Sequence, residues 1–161
     1  MTRLVTTTDP SDIPGVLIRP PLLFLGLAIL AIALGLLWPM PLMPASMQIM
    51  GGAILIVMAA SLMGAAIPRF KRAGTHVATW KPSSALVTSG PYRLTRNPIY
   101  VAFLLAFLGL ACALDNIWFA VLWPVLAVVL DLGVVRREER YLESRFGDSY
   151  RTYCRNVRRW F

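Results

Sequence analysis

Three short stretches of this sequence hold the polar and aromatic side chains that could do chemistry. Residues 86–100 contain two arginines, an asparagine and two tyrosines, Glu138 and Glu139 form an acidic pair, and residues 146–153 contain two tyrosines and a phenylalanine. Arginines and the free N–H groups at a helix start favour an anion. Paired carboxylates beside aromatic rings favour a cation. Together the three stretches indicate a site for a zwitterion, provided that the fold brings them to one place.

The composition of the chain indicates which kind of fold must bring these three stretches together. Hydrophobic residues make up 57% of the 161 residues and charged residues only 15%, against about 45–50% and about 25% in soluble domains. The hydrophobic residues are concentrated in four runs, at 22–38, 47–67, 99–114 and 117–135. Such runs approach the roughly 20 residues that cross the hydrocarbon core of a bilayer. The sequence predicts an all-α integral membrane protein with four transmembrane helices and a C-terminal amphipathic helical segment.

The distribution of the net charge of +8 separates a membrane protein from a nucleic-acid-binding one. Six basic residues lie between the second and third runs and eight follow the fourth run, whereas the other two connections contain none. Basic connections mark the cytoplasmic side of a membrane. We therefore expect both termini to be cytoplasmic, in a bacterial inner membrane, with membrane lipids as partners. A nucleic-acid-binding surface would not avoid every second connection, so nucleic acid is not expected as a partner.

The length of the chain predicts one domain over residues 1–161. Its expected parts are an N-terminal lead at 1–19, the first two spans at 20–68, a cytoplasmic cofactor loop at 69–97, a helical hairpin at 98–135 and cytoplasmic C-terminal helices at 136–161.

Asp115 and Asn116 alone separate the third and fourth runs. A turn this short requires the two helices to run antiparallel. The Asn97 end of the third span and the Glu138 end of the fourth should therefore lie together at one membrane face. An anion-binding and a cation-binding group would then share one pocket. Many zwitterions have this charge pattern, and S-adenosylmethionine, with its sulfonium centre, is one of them. Methyl transfer mainly needs alignment and a water-poor pocket, and the inner membrane edge would also admit a lipophilic small-molecule or lipid acceptor.

The three stretches also resemble a known family. Residues 86–100, LVTSGPYRLTRNPIY, followed by the hydrophobic hairpin and then by EERYLESRFGDSYRTYCRNV, look like the isoprenylcysteine carboxyl methyltransferase family. They also resemble the wider set of small membrane methyltransferases that includes phospholipid methyltransferases. The run from Arg96 to Tyr100 matches the family's Arg-His-Pro-x-Tyr signature, and Glu138-Glu139 matches its acidic pair. The resemblance covers roughly residues 74–157.

The resemblance implies a four-helix membrane fold and an S-adenosylmethionine-dependent methyltransferase. We add Arg96 to the cofactor-binding residues that the resemblance implies, because its guanidinium suits an anionic group of the cofactor. Asn97 replaces the family's histidine, so hydrogen bonding to the cofactor survives but proton transfer does not. The family's substrate-facing arginine corresponds to Val134 here, which argues against prenylcysteine as the acceptor. The expected cofactor-binding residues are Leu86, Val87, Tyr92, Arg96, Asn97, Pro98, Tyr100 and Glu138.

Three charged residues near the acidic pair, Arg137, Glu139 and Asp131, are candidates for a catalytic role. Asp131 lies inside the fourth run, seven residues before Glu138 and thus on the same helical face. An ionisable residue at membrane depth is a functional hypothesis by default, although pairing with an arginine explains it equally well. The aromatic residues after Phe146 have helical spacing, which favours packing and membrane-surface anchoring over substrate recognition.

Metal chemistry is not expected. The single histidine, His76, has no partner at metal-ligand spacing and is interpreted as a loop residue, and the two cysteines are far apart.

Two other functions remain open on sequence grounds. One is an NADPH-dependent membrane reductase of the steroid-reductase type, which has a similar helical hairpin. The other is a non-catalytic membrane subunit, for which lipid-facing helices and a basic tail suffice.

Overall fold

The computed structural model describes residues 13–78 and 81–160, and these residues form helices without any β-strand. A 3-10 turn at Gly90–Arg93 and a π-helical turn at Asp131–Val135 interrupt the series of α-helices. Of the predicted N-terminal lead at 1–19, residues 1–12 lie outside the described residues. The all-α prediction is confirmed by six helices in the described ranges: α1 (Pro20–Leu37), α2 (Ala45–Arg72), α3 (Pro98–Ala113), α4 (Ile117–Leu130), α5 (Arg136–Phe146) and α6 (Asp148–Asn156).

Three helices in the described part of the chain are long and apolar enough to cross a membrane. They are Pro20–Leu37, Ser46–Arg72 and the continuous helix Ile117–Phe146, which α4, the π-helical turn and α5 build together. Helix α3 is also apolar but has 16 residues. At about 1.5 Å per residue it spans about 24 Å, less than the roughly 30 Å of a hydrocarbon core. The membrane-protein class is confirmed, with α3 as the short member of four apolar helices.

Helix α2 is longer than the sequence predicts. The prediction ended the second span before Pro68, but α2 continues through this residue to Arg72. Proline removes one helical hydrogen bond, and the guanidinium of Arg69 donates to the nearby carbonyl of Ala65. Three basic residues in the last turn of α2 also favour a helix C-terminus. The connection predicted at 69–97 therefore begins one turn later.

The predicted turn between α3 and α4 is present and is tied to the segment between α1 and α2. Asp115 has a left-handed φ of 46°, and its carboxylate accepts the N–H groups of Leu42 and Met43 at 2.8 and 3.2 Å. The side chain of Asn116 accepts an N–H group in the first turn of α4 and donates to a carbonyl of α1, both at 3.0 Å. These bonds fix the antiparallel course of α3 and α4, so the start of α3 and the start of α5 lie at the same end of the bundle.

Helices α2 and α3 approach each other at two glycines. A Cβ atom at Gly52 would lie 2.8 Å from the backbone nitrogen of Ala113, and one at Gly109 would lie 2.8 Å from the side chain of Ile56. Close approach through small residues is a common basis of helix packing in lipid. These contacts join the first half of α2 to the last turns of α3, at the end of the two helices opposite to their long connection.

The described N-terminal residues cross the junction of α4 and α5. The N–H group of Leu17 donates to the carbonyl of Gly133 in the π-helical turn at 3.0 Å. Arg137 donates to the carbonyl of Gly15 at 3.2 Å. Single π-helical turns inside α-helices occur frequently at functional sites. The segment before α1 is thereby held against the end of the bundle where α5 begins.

The glycine contact leads to a stability prediction with a neighbouring control. Gly52→Ala should destabilise the protein by about 1–3 kcal/mol, because the new methyl group overpacks the α2–α3 contact. Gly51→Ala should change stability by about 1 kcal/mol or less, since no atom lies within 4 Å of the position its Cβ would take. Unfolding of the two variants in detergent, followed by circular dichroism, compares them directly. Equal stabilities would contradict the packing described here.

Candidate active site

A cavity lies where the start of α3, the helices α5 and α6 and the connection between α2 and α3 meet. It encloses about 830 Å³ of empty space when its open mouth is included. Pro98 does not line it but is fully buried as the first residue of α3. The other seven residues predicted to bind a cofactor do line it: Leu86, Val87, Tyr92, Arg96, Asn97, Tyr100 and Glu138.

The cavity contains a carboxylate with a phenolic partner. The hydroxyl of Tyr100 donates to Oε1 of Glu138 at 2.8 Å. Tyr100 lies in the first turn of α3 and Glu138 in the first turn of α5. Their contact exists because the turn after α3 brings the chain back to the same end of the bundle. A partly buried carboxylate beside aromatic rings suits a cationic group.

Two further tyrosines form a wall of the cavity. The hydroxyl of Tyr153 in α6 donates to the backbone carbonyl of Tyr92 at 2.7 Å. The ring of Tyr92 packs edge-on against Phe70, with centroids 5.6 Å apart. Burial raises the pKa of both phenols above the usual range of tyrosine. Tyr92 and Tyr153 therefore stay protonated at neutral pH and serve as hydrogen-bond donors rather than as bases.

A chain of ion pairs borders the cavity. The carboxylate of Glu139 pairs with Arg96 at 3.1 Å and with Arg159 at 2.6 Å. Arg159 also lies 3.7 Å from Asp131, which pairs with Arg136 at 2.7 Å. Cations and anions thus alternate along the chain, and each of the two carboxylates has two arginine partners. The pairs connect the start of α3, the α4–α5 junction and the C-terminal tail.

The C-terminal tail after α6 returns to the start of α3. The carbonyl of Arg159 accepts hydrogen bonds from the side chains of Asn97 and Thr95, each at 3.0 Å. The N–H group of Arg96 donates to the carbonyl of Arg158 at 3.0 Å. The side-chain contacts join residues 62 and 64 positions apart. No local sequence pattern predicts such a contact. Asn97 directly precedes α3, but its side chain makes no capping hydrogen bond to that helix.

The three catalytic candidates lie in different surroundings. Glu139 lines the cavity, with its oxygens bound to two arginines. Arg137 donates to the carbonyl of Gly15, and Asp131 belongs to the outer part of the ion-pair chain. Neither Arg137 nor Asp131 lines the cavity. Only Glu139 among the three therefore borders the space in which a ligand would lie.

Several lining residues lie outside the set that was predicted. Pro14 belongs to the N-terminal segment, and His76, which was interpreted as a loop residue, lies in the connection after α2. Tyr150 and Tyr153 come from the C-terminal aromatic stretch that was assigned to packing and surface anchoring. Helical spacing identified their shared face, but it carries no information about what that face contacts. Within the described ranges, no group of three or more His, Cys, Asp or Glu side chains could hold a metal ion.

Comparison with known families gives an independent view of this site. Residues 47–149, more than half of the chain, match the model of a family described as phospholipid methyltransferase. The matched part includes the connection after α2, the α3–α4 hairpin and the acidic pair of α5. It does not include the N-terminal segment or the tail that carries Arg159. No solved structure matches the chain significantly.

Individual relatives match over shorter stretches. The chain is 32% identical over 108 residues to protein-S-isoprenylcysteine O-methyltransferase A of Arabidopsis thaliana, which covers 66% of this chain and 55% of the relative. It is 38% identical over 72 residues to the protein-S-isoprenylcysteine O-methyltransferase of Schizosaccharomyces pombe, covering 45% of this chain and 30% of the relative. It is 33% identical over 81 residues to the cobalt-zinc-cadmium resistance protein CzcN of Cupriavidus metallidurans, covering 50% of this chain and 37% of the relative. The chain therefore spans only about a third to a half of these relatives.

The contact between Asn97 and the tail leads to a second prediction. Asn97→Leu should destabilise the protein by about 1–3 kcal/mol, because the partly buried carbonyl of Arg159 loses a donor. It should also speed hydrogen exchange in residues 157–160, which mass spectrometry would measure. The control is Asn156→Leu, since the exposed Asn156 donates to the carbonyl of Thr152 within α6. A tail that exchanges equally slowly in both variants would contradict the docking contact.

Proposed function

Because this chain belongs to the phospholipid methyltransferase family, whose model matches residues 47–149, we propose that it transfers a methyl group from S-adenosylmethionine to a lipophilic acceptor. The observation that carries the proposal is the cavity at the end of the bundle, in which the Glu138–Tyr100 pair and Arg96 face one space. The names of the two isoprenylcysteine methyltransferases agree with this chemistry. The name of the metal-resistance relative indicates no reaction for this chain.

The residues of the cavity fit the proposed donor. Glu138, with its tyrosine partner, suits the cationic sulfonium or ammonium group. Arg96 and the N-terminal end of α3 suit the carboxylate. Leu86 and Val87 add apolar surface for the flat base. The donor's opposite charges would then lie against opposite charges of the protein, on elements that the α3–α4 turn brings together.

The chain's contribution to the reaction is binding and alignment. When bound, S-adenosylmethionine would supply a methyl group on a cationic sulfur for transfer to a lone pair of the acceptor, with S-adenosylhomocysteine as the leaving group. Glu138 holds the cationic end of the donor at a fixed position. The protonated phenols of Tyr92 and Tyr153 form a wall that limits access of water. Orientation and a water-poor pocket supply much of the acceleration available to an in-line displacement.

The orientation in the membrane follows from the charges. The cavity lies among the basic connection after α2 and the basic C-terminal helices, and such residues favour the cytoplasmic side. We therefore propose a cytoplasmic cavity and cytoplasmic termini, in a bacterial inner membrane. The donor would enter from the cytoplasm, and the acceptor would come from the lipid that surrounds the apolar helices.

Calorimetric titration tests the cofactor assignment. The purified protein in detergent should bind S-adenosylhomocysteine, which keeps the donor's charged amino acid part and adenosine part. A folded, monodisperse sample that binds none would overturn the proposal. Binding of NADPH in its place would favour a membrane reductase, and binding of neither would favour a non-catalytic subunit.

A variant of the acidic pair tests the position of the donor. Glu138→Ala should weaken S-adenosylmethionine binding by more than tenfold, or about 1.4 kcal/mol, because the donor's cationic end loses its carboxylate. Asp148→Ala is the control, since the exposed carboxylate of Asp148 pairs with Arg151 at 3.0 Å and does not line the cavity. Unchanged affinity in Glu138→Ala, measured by calorimetry, would remove this residue from the donor site.

A further inference from the structure

An apolar groove runs between α3 and α4 on the outside of the bundle. Its walls are Val101, Leu104, Leu105 and Leu108 of α3 facing Trp123, Ala127 and Val128 of α4. It has a volume of about 1070 Å³ including open space. Between two helices of a membrane protein, such a groove would hold hydrocarbon.

The groove ends in polar residues at the same end of the bundle as the cavity. Asp131, Arg136 and Trp160 line this end, and the indole N–H of Trp160 donates to Asp131 at 3.3 Å. A tryptophan between apolar and charged surfaces is typical of the membrane interface. The apolar part of the groove would therefore fit the hydrocarbon of an amphiphile, and its charged end would fit the headgroup at the membrane interface.

A second, polar depression joins the groove to the cavity, and we name it the arginine vestibule. It shares Leu132 and Arg136 with the groove, and it shares Arg96, Glu139 and Tyr150 with the cavity. The three spaces are therefore adjacent, and the Arg96–Glu139 ion pair lies between the vestibule and the cavity.

The vestibule has an excess of positive charge. Four arginines, at positions 96, 136, 140 and 159, line it together with two glutamates, at positions 139 and 143. One of the glutamates, Glu143, is further neutralised by Arg151 at 2.9 Å. Arg136 and Arg159 also pair with Asp131 at the edge of the vestibule. Four arginines thus face three carboxylates there, and an anion would balance the remaining positive charge.

A second observation also indicates a missing partner. The Nε atom of Arg96 is buried and has no hydrogen-bond partner among the described residues. Buried donors of this kind are rarely left unpaired in native proteins. Arg96 lines both the vestibule and the cavity, so a ligand that bridges the two spaces would lie beside this residue.

We propose that the methyl acceptor is a membrane-dissolved amphiphile with an anionic headgroup, which lies with its hydrocarbon in the groove and its headgroup in the arginine vestibule. This inference rests on the proposed function and names the acceptor class for it. Arg159 determines the specificity for the anionic group, because its guanidinium lies between Asp131 and Glu139 and faces the vestibule. The tail that carries Arg159 lies outside the family match at 47–149.

The first experiment measures headgroup preference in nanodiscs. Bromine atoms on lipid chains quench nearby tryptophans, and Trp123 lines the groove. Dibrominated phosphatidylglycerol should quench the protein at least threefold more effectively than dibrominated phosphatidylcholine at equal mole fraction. Trp123→Phe should reduce the difference, and the double variant Trp123→Phe/Trp160→Phe should remove it, because both tryptophans line the groove. Equal quenching by the anionic and the zwitterionic lipid would overturn the inference.

Arginine variants separate a specific site from general attraction to a basic protein. Arg159→Gln should reduce the anionic preference by threefold or more, and Arg159→Lys should restore part of it. Arg155→Gln, which removes an exposed arginine of α6 that bonds Thr152, should leave the preference unchanged. An equal loss in Arg155→Gln and Arg159→Gln would overturn the role of Arg159.

The last experiment connects the site to the reaction. A bacterial lipid extract is separated on an anion exchanger, and each fraction is incubated with the protein and S-adenosylmethionine labelled in its methyl group. The label should enter the anionic fraction, and Arg159→Gln should reduce this incorporation at least tenfold. Incorporation only into the neutral fraction would overturn the inference while leaving the methyltransferase proposal intact. If the protein does not bind S-adenosylhomocysteine, the acceptor assignment falls together with the proposed function, whatever the lipid preference.

Discussion

The turn of two residues between α3 and α4 is the constraint on which the rest of the candidate site depends. Asp115 adopts a left-handed conformation and binds two backbone N–H groups of the α1–α2 segment, so the turn is anchored as well as short. An anchored turn of this length leaves α3 and α4 no alternative to an antiparallel course. It therefore aligns residues almost forty positions apart, of which Tyr100 and Glu138 are in direct contact. Apolar helices that carry few polar groups can still build a polar site in this way, because each contributes only its end.

Besides bordering the cavity, the ion-pair chain around Glu139 holds together the elements at that end of the bundle. A partly buried carboxylate is costly without partners, and removing one partner of such a pair destabilises a protein strongly. Glu139 meets this requirement with arginines from two distant parts of the chain, Arg96 at the start of α3 and Arg159 in the tail. The tail is in turn fixed by backbone and side-chain bonds to the start of α3. The charges that would recognise a ligand are thus the same charges that close the bundle end.

Much of this arrangement could be predicted because it follows from local rules. The hydrophobic runs, the alternating basic connections and the two-residue turn each depend on residues close in sequence, so composition and spacing predicted the helices and the shared end of α3 and α5. Prediction ended α2 early, at Pro68, because a proline is unfavourable in a helix interior. The helix nevertheless continues to Arg72, and the three basic residues of its last turn favour a helix C-terminus there. The two adjacent glycines of α2 could not be told apart from the sequence. Only Gly52 packs against α3, whereas no atom lies within 4 Å of the position that a Cβ at Gly51 would take.

The sequence by itself determined the class of the protein, the order of its helices and seven of the residues that line the cavity. These properties depend on hydrophobicity and on short motifs, which are local. Only the tertiary structure decided how the tail and the N-terminal segment lie. It brought Arg159 to Glu139, directed Arg137 to the carbonyl of Gly15 and placed Pro14 and His76 at the cavity. Those contacts join positions far apart along the chain, and their energies depend on distances and burial that no spacing of residues records.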